Sequence, residues 1–184
     1  MQAAVQSDYV RVEDYLAAEE ASEIRHEYLG GAVYAMAGET RAHNTIALNL
    51  ATAIRQSLKP PCKLYMGGVR VNFQLRRDDY YYYPDVVVTC DSRDNDARVV
   101  RYPKLIIEVL SESTERIDRR EKFLAYTTIE SLEEYILVSQ GNAEATIFRR
   151  SRDWGAEKVF GPEASLGIEC LRLNLPLTDV YEGI

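Results

Sequence analysis

The order of periodic segments predicts an α+β (mixed α/β) fold, with a mixed central sheet flanked by helices and an N-terminal helix and hairpin ahead of it. Three observations carry that prediction. The segments run helix, hairpin, helix, several strands, helix, strands. Lys104 to Leu110 is near-continuously apolar and β-branched, as a central strand covered on both faces is. The 184 residues are 46% hydrophobic and 28% charged, a globular balance with enough chain for a real core. One domain over residues 1–184 is expected, with no internal repeat and no linker.

Val12 to Ser22 places Val12, Tyr15 and Leu16 at helical spacing. Arg25 to Leu29 and Ala32 to Met36 flank Gly30-Gly31, whose freedom at positive φ suits a two-residue hairpin turn. Thr40 is the candidate N-cap of a helix running to about Leu58, with Ile46, Leu50, Ala53, Ile54 and Leu58 on one stripe and Pro60-Pro61 ending it. Strands are expected at Lys63 to Met66, Gly68 to Leu75 and Tyr80 to Thr89, the last two joined by Arg76-Arg77-Asp78-Asp79. Asp91 to Arg101 is polar, lacks periodicity and reads as a loop. After the Lys104 strand, Ser113 or Thr114 caps a helix running to about Thr128. Glu134 to Val138, Ala143 to Arg149, Ala156 to Phe160 and Leu166 to Leu173 are further strand candidates, and Pro176 to Ile184 is a tail or short final element.

Composition narrows the function classes. No apolar run reaches the roughly 18 residues of a membrane span, and Met1 to Asp8 lacks the basic and apolar regions of a signal peptide, so a cytoplasmic location is expected. The cysteines Cys62, Cys90 and Cys170 are odd in number and widely spaced, which predicts packed thiols and neither a disulfide framework nor a cysteine zinc site. With two histidines, His26 and His43, a histidine-rich metal site is excluded. A formal net charge of -7 argues against holding nucleic acid by bulk electrostatics. Local basic groups remain: Arg93, Arg98, Arg101 and Lys104 in one, Arg116, Arg119, Arg120 and Lys122 in the other, the second diluted by Glu115, Asp118 and Glu121. The 13 tyrosines include the run Tyr80 to Tyr83, in which strand alternation would send half the rings to the core and half to solvent or a partner chain; a homodimer is compatible with such a surface.

The chemistry-bearing stretch is Tyr83-Pro84-Asp85-Val86-Val87-Val88 followed by Glu108 within Leu105 to Leu110. A carboxylate in such apolar company costs several kcal/mol to bury unless a cation or fixed donor compensates it. Pro84 cannot donate to a ladder, so Asp85 belongs at a strand entrance or an edge, where plain solvation is an alternative. Beside Glu108, the two acids offer hard oxygen ligands for one Mg²⁺ or Mn²⁺, with the Val109 carbonyl as a third donor. The competing account pairs Glu108 with an arginine or Lys122 as a structural ion pair. Lys122 itself either pairs with Asp118 one helical turn away, for roughly 0.3 to 0.5 kcal/mol, or turns its ammonium to the acids. For Tyr126 and His43, packing is the expected role.

These residues, continuing through Ser111, Ser113-Thr114, Asp118, Lys122, Tyr126 and Glu134-Tyr135-Ile136-Leu137-Val138, resemble the Uma family of restriction-endonuclease-like proteins in the PD-(D/E)XK nuclease superfamily. Glu27, Gly30-Gly31 and His43 also fit the family's N-terminal pattern. The resemblance implies a restriction-endonuclease-like core, with Asp85 and Glu108 as ligands of Mg²⁺ or Mn²⁺ and Glu27 as an additional supporting acid. Where the superfamily's E-x-K places lysine, this chain has Leu110, so the resemblance assigns the ammonium to Lys122 on the following helix. The implied activity is metal-dependent hydrolysis of nucleic-acid phosphodiesters, with DNA as the expected partner. The alternative is a nucleic-acid- or protein-binding module that keeps the fold without turnover.

Overall fold

The computed structural model describes residues 9–111 and 117–184, with side chains left undescribed through residue 118. The expected caps Ser113 and Thr114, and the Asp118 side chain, lie outside the described residues.

Helix α1 (Val12–Ala21) precedes the hairpin of β1 (His26–Leu29) and β2 (Ala32–Ala35), whose turn places Gly30 and Gly31 at φ +54° and +104°. Helix α2 (Arg41–Ser57) starts where Thr40 Oγ1 accepts the His43 amide at 3.1 Å. Strands β3 (Lys63–Met66), β4 (Arg70–Leu75), β5 (Asp78–Tyr82), β6 (Val86–Thr89), β7 (Val99–Val100) and β8 (Pro103–Leu110) follow. A π-helical turn over Ile117–Lys122 then runs into α3 (Phe123–Tyr126). The chain ends with β9 (Glu134–Ser139), β10 (Glu144–Arg149), β11 (Ala156–Phe160), β12 (Ser165–Ile168), β13 (Leu173–Pro176) and α4 (Leu177–Val180). Among the described residues, no helix is long and apolar enough to cross a membrane.

The central sheet is mixed and six-stranded, in the order β11-β10-β9-β8-β6-β3, with β8 and β9 parallel. As the apolar run of β8 requires, that strand is interior and covered on both faces. Val86, Val88, Leu105, Ile107 and Val109 pack towards Ile46, Leu50 and Ile54 of α2. Val87, Ile106 and Leu110 pack on the opposite face with Val71, Phe73 and Tyr82 of a second, five-stranded sheet and with Tyr126 of α3. Strand alternation therefore gives Glu108 the same facing as Ile106 and Leu110, towards α3 and the second sheet.

Four expectations are corrected. The single strand expected over Tyr80 to Thr89 is two, because at Tyr83-Pro84-Asp85 the chain leaves the five-stranded sheet and enters the six-stranded one. Pro84, having no N–H to give a ladder, suits that crossing. Alternation does not expose half of the tyrosine run: Tyr81, Tyr82 and Tyr83 are all buried. Tyr81 packs with Tyr15 and Tyr28, and Tyr82 with Phe73 and Tyr126, so the second sheet is covered on both faces. The strand expected at Leu166 to Leu173 is a β12-β13 pair interrupted by a 3-10 turn over Glu169–Leu171. Finally, Cys62 and Cys90 form a disulfide, leaving Cys170 as the free thiol. The antiparallel register of β3 and β6 sets Lys63 opposite Thr89, which puts the two cysteines opposite one another; their spacing along the chain gives no sign of it.

Candidate functional site

The crossing between the sheets is where the acidic groups meet. Asp85 sits just before β6, largely buried, with its two carboxylate oxygens held in different directions. Oδ1 lies 2.9 Å from His43 Nε2, and Oδ2 accepts the Val109 backbone N–H at 2.6 Å. A residue in a strand presents its N–H and C=O to the same edge, so the Val109 carbonyl projects on the Asp85 side of β8. The Asp85 amide makes a long contact of 3.4 Å with Glu108 Oε2.

Glu108 is 3% exposed. Its Oε1 accepts from Lys122 Nζ and from the Tyr126 hydroxyl, each at 3.2 Å. Glu27 comes from β1 of the second sheet, is also 3% exposed, and lies 2.9 Å from the same ammonium. Although it stands on a hairpin strand, Glu27 is therefore turned inward and not to solvent. Lys122 is buried, bridges the two sheets' carboxylates, and has the Tyr82 ring 5.4 Å away on its cationic head. Lys122 and Tyr126 reach one carboxylate because they are one helical turn apart. Burial, and then the neighbouring Glu108 charge, push the Tyr126 hydroxyl well above its ordinary value, so it remains a donor.

Leu110 explains the displaced lysine. It shares the facing of Glu108, but its own surroundings are the apolar cluster of Ile106, Tyr126 and Ile129, and it is 5% exposed. A lysine there would carry its charge into that cluster, whereas the helical segment after β8 delivers an ammonium to Glu108 from above the sheet.

Glu27, Asp85, Glu108, Val109 and Lys122 all line one cavity of about 120 Å³, together with Glu39, Thr40, His43 and Ser111. Among the described residues lining it, four carboxylates (Glu27, Glu39, Asp85, Glu108) face one ammonium and one imidazole. Such an excess of acid around a small, mostly buried space favours a bound cation. The donor set, carboxylates with a strand carbonyl, is the hard-oxygen chemistry that suits Mg²⁺ or Mn²⁺.

Three contributors escaped sequence reasoning, the first being Tyr126, expected to pack, whose hydroxyl donates to Glu108. His43, expected to pack, does sit on the buried stripe of α2, one turn before Ile46 and Ala47, but its ring nitrogen meets Asp85. That stripe was the available signal, since a histidine at its N-terminal end must face the sheet. Glu39 precedes the helix cap and carries no periodic signal. The basic group Arg93, Arg98, Arg101 and Lys104 is not a phosphate cradle beside this cavity. Arg93 pairs with Asp91, Arg98 with Glu20, Arg101 with Asp96 and Lys104 with Glu133, and none lines it.

Residues 12–178 match the family model Uma2, described as "Putative restriction endonuclease". Two relatives come from Synechocystis sp.: "Uncharacterized protein slr1290" is 34% identical over 94% of this chain and 91% of its own. "Uncharacterized protein sll1609" is 27% identical over 87% of this chain and 93% of its own. A crystal structure from Anabaena variabilis, described as "a putative nuclease belonging to DUF820", superposes with a TM-score of 0.77 at 17% identity, covering 94% of this chain and 97% of that one. The chain belongs to the Uma2 family, and its fold is that of the Anabaena protein.

Proposed function

We propose that this Uma2 family member hydrolyses nucleic-acid phosphodiesters, with DNA as the substrate, using Mg²⁺ or Mn²⁺ held by Asp85, Glu108 and the Val109 carbonyl. The observation that carries the reading is the cavity where, among the described residues, four carboxylates face one ammonium and one imidazole. A divalent ion bound there would polarise the scissile phosphate and make a water nucleophilic near neutral pH. The chain's own groups do the rest. The Val109 amide fixes Asp85, while Tyr126 and Lys122 fix Glu108, so the ligands are oriented before any ion arrives.

Lys122 would orient the attacking water and offset charge developing on the phosphoryl oxygens. Glu27 supports it by holding the ammonium from the far side, at 2.9 Å. The competing reading, a binding module without turnover, gains its strength from a lysine facing solvent. The burial of Lys122 between Glu27 and Glu108 favours turnover instead.

The test is cleavage of single- and double-stranded DNA and of RNA by the full chain, with Mg²⁺, with Mn²⁺ and with a chelator. Divalent-dependent DNA cleavage that disappears in Asp85→Asn and Glu108→Gln supports the proposal. Cleavage retained in both variants, or salt-dependent binding without hydrolysis under either ion, overturns it.

A further inference from the structure

We propose a second cation position in the same cavity, formed by Glu39, His43 and Asp85, that takes a nitrogen-tolerant divalent ion such as Mn²⁺ in preference to Mg²⁺. The inference rests on the reading of Asp85 as a metal ligand and extends it to residues that no metal-binding role has so far included.

The geometry begins with the orientation of Asp85. Its Oδ2 is turned to the Val109 amide, on the Glu108 side, and its Oδ1 to His43, on the α2 side. A carboxylate set this way can bridge two ions. On the α2 side, one oxygen of Glu39, one ring nitrogen of His43 and one oxygen of Asp85 all lie within 4.8 Å of one another. Donor atoms around a single six-coordinate ion with bonds of about 2.1 Å stand roughly 3 to 4 Å apart, so a small closure of one side chain completes the set. Glu39 is the side chain able to supply it. It is exposed, precedes the Thr40 cap, and makes no ion pair among the described residues. His43 is the fixed partner, 8% exposed and anchored in the first turn of α2.

The donor chemistry then selects the ion. Mg²⁺ and Ca²⁺ favour oxygen-only sites, whereas one imidazole with two carboxylates suits Mn²⁺, Fe²⁺, Co²⁺ or Zn²⁺. Charge supports occupancy independently of ligand type. Lys122 contacts Glu27 and Glu108, on the far side of the cavity, and leaves Asp85 with an imidazole as its side-chain partner. A second ion on the α2 side would neutralise Asp85 and Glu39 together. Two ions sharing Asp85 would also match an in-line displacement, in which the attacking and leaving oxygens each need charge stabilisation.

The experiment is a Mn²⁺ titration of the full chain, counting bound ions by electron paramagnetic resonance and reading nitrogen coupling by its pulsed form. The wild type is expected to hold two Mn²⁺ per chain, one of them coupled to an imidazole nitrogen. His43→Gln should lose the coupled ion and keep the other. Glu39→Gln, at an exposed position that cannot unfold the chain, should weaken the coupled ion by more than roughly tenfold, since even outer partners of a metal ligand are worth that much. Glu108→Gln should do the reverse, keeping the coupled ion and losing the uncoupled one. A single bound Mn²⁺ in the wild type, or no nitrogen coupling, overturns the second site. If both ions bind but no substrate is cut, the hydrolase reading fails while this one stands.

Discussion

Glu108 and Glu134 stand on neighbouring strands of one sheet, 3% and 2% exposed, and their surroundings differ in kind. Glu134 is saturated by fixed donors. Its Oε1 accepts Arg149 Nε at 2.6 Å and the Glu169 amide at 3.1 Å, and its Oε2 accepts the Cys170 amide at 3.1 Å. Arg149 in turn donates to Glu157 and to the Gly167 carbonyl, each at 2.6 Å, which ties β9, β10, β11 and β12 together. Both oxygens of the Glu134 carboxylate are thus taken by a guanidinium and two backbone amides. A hollow adjoins each acid, but among the described residues lining the one beside Glu108 four carboxylates meet one ammonium and one imidazole, whereas Glu134 faces its hollow with Arg149 and two backbone amides already on its oxygens. A buried acid matched by a guanidinium and backbone amides holds a fold; an excess of acids beside a cavity is the feature on which the proposed cation site rests.

The strongest way to break this contrast is to remove one charge at each end. Asp85→Asn or Glu108→Gln should remove several kcal/mol of transition-state stabilisation, roughly a thousandfold or more in cleavage rate. Thermal stability should hold or rise, because one of several mutually repelling carboxylates has gone. A melting temperature that collapses along with activity would mean that both ends of the sheet are structural. Arg149→Met should do the opposite, costing about 3–5 kcal/mol of stability by stranding Glu134 while cleavage per folded molecule is kept. Denaturant unfolding beside a rate normalised to folded fraction checks both halves.

Divalent ions sharpen the comparison next. Mg²⁺ or Mn²⁺ at about a hundred times its dissociation constant should raise unfolding stability by about 2.7 kcal/mol. The Arg149→Met protein should keep that increment and Asp85→Asn should lose it, as thermal scans with and without chelator would show. The smallest effect concerns acid. Arg152 first, and then Arg149, hold the Glu157 carboxyl below the usual glutamate value of 4.5. The folded value is depressed, so the stability this group contributes is present above pH 4.5 and is lost as pH falls through the lower folded value. Glu157→Gln should lower the melting temperature near neutrality and flatten its dependence on pH in that acid window, so that the two proteins converge at the acid end. An unaltered acid slope would remove Glu157 from the structural cluster.

Much of this was legible along the chain because it depends on local periodicity. The apolar run of β8 made it a covered central strand, Thr40 set the start of α2, and Gly30-Gly31 set the first hairpin. Asp85 and Glu108 stood out because nothing apolar explains a carboxylate in their company. Yet Glu134 adjoins an equally apolar run, and sequence gives no means of telling a saturated acid from one in an unbalanced cluster. The distinction depends on partners brought from elsewhere: Arg149 across an antiparallel register for one, Glu27 from another sheet for the other.

The sequence by itself determined the fold class, most of the elements and their order, and the family to which the pattern belongs. Only the tertiary structure decided that Lys122 turns inward, that Cys62 meets Cys90, that the tyrosine run is buried, and that His43 and Glu39 join Asp85. The reason is physical. Periodicity reports which way a side chain leaves its own strand or helix, whereas its charge environment is set by groups far along the chain that meet only when sheets pack and the chain crosses between them.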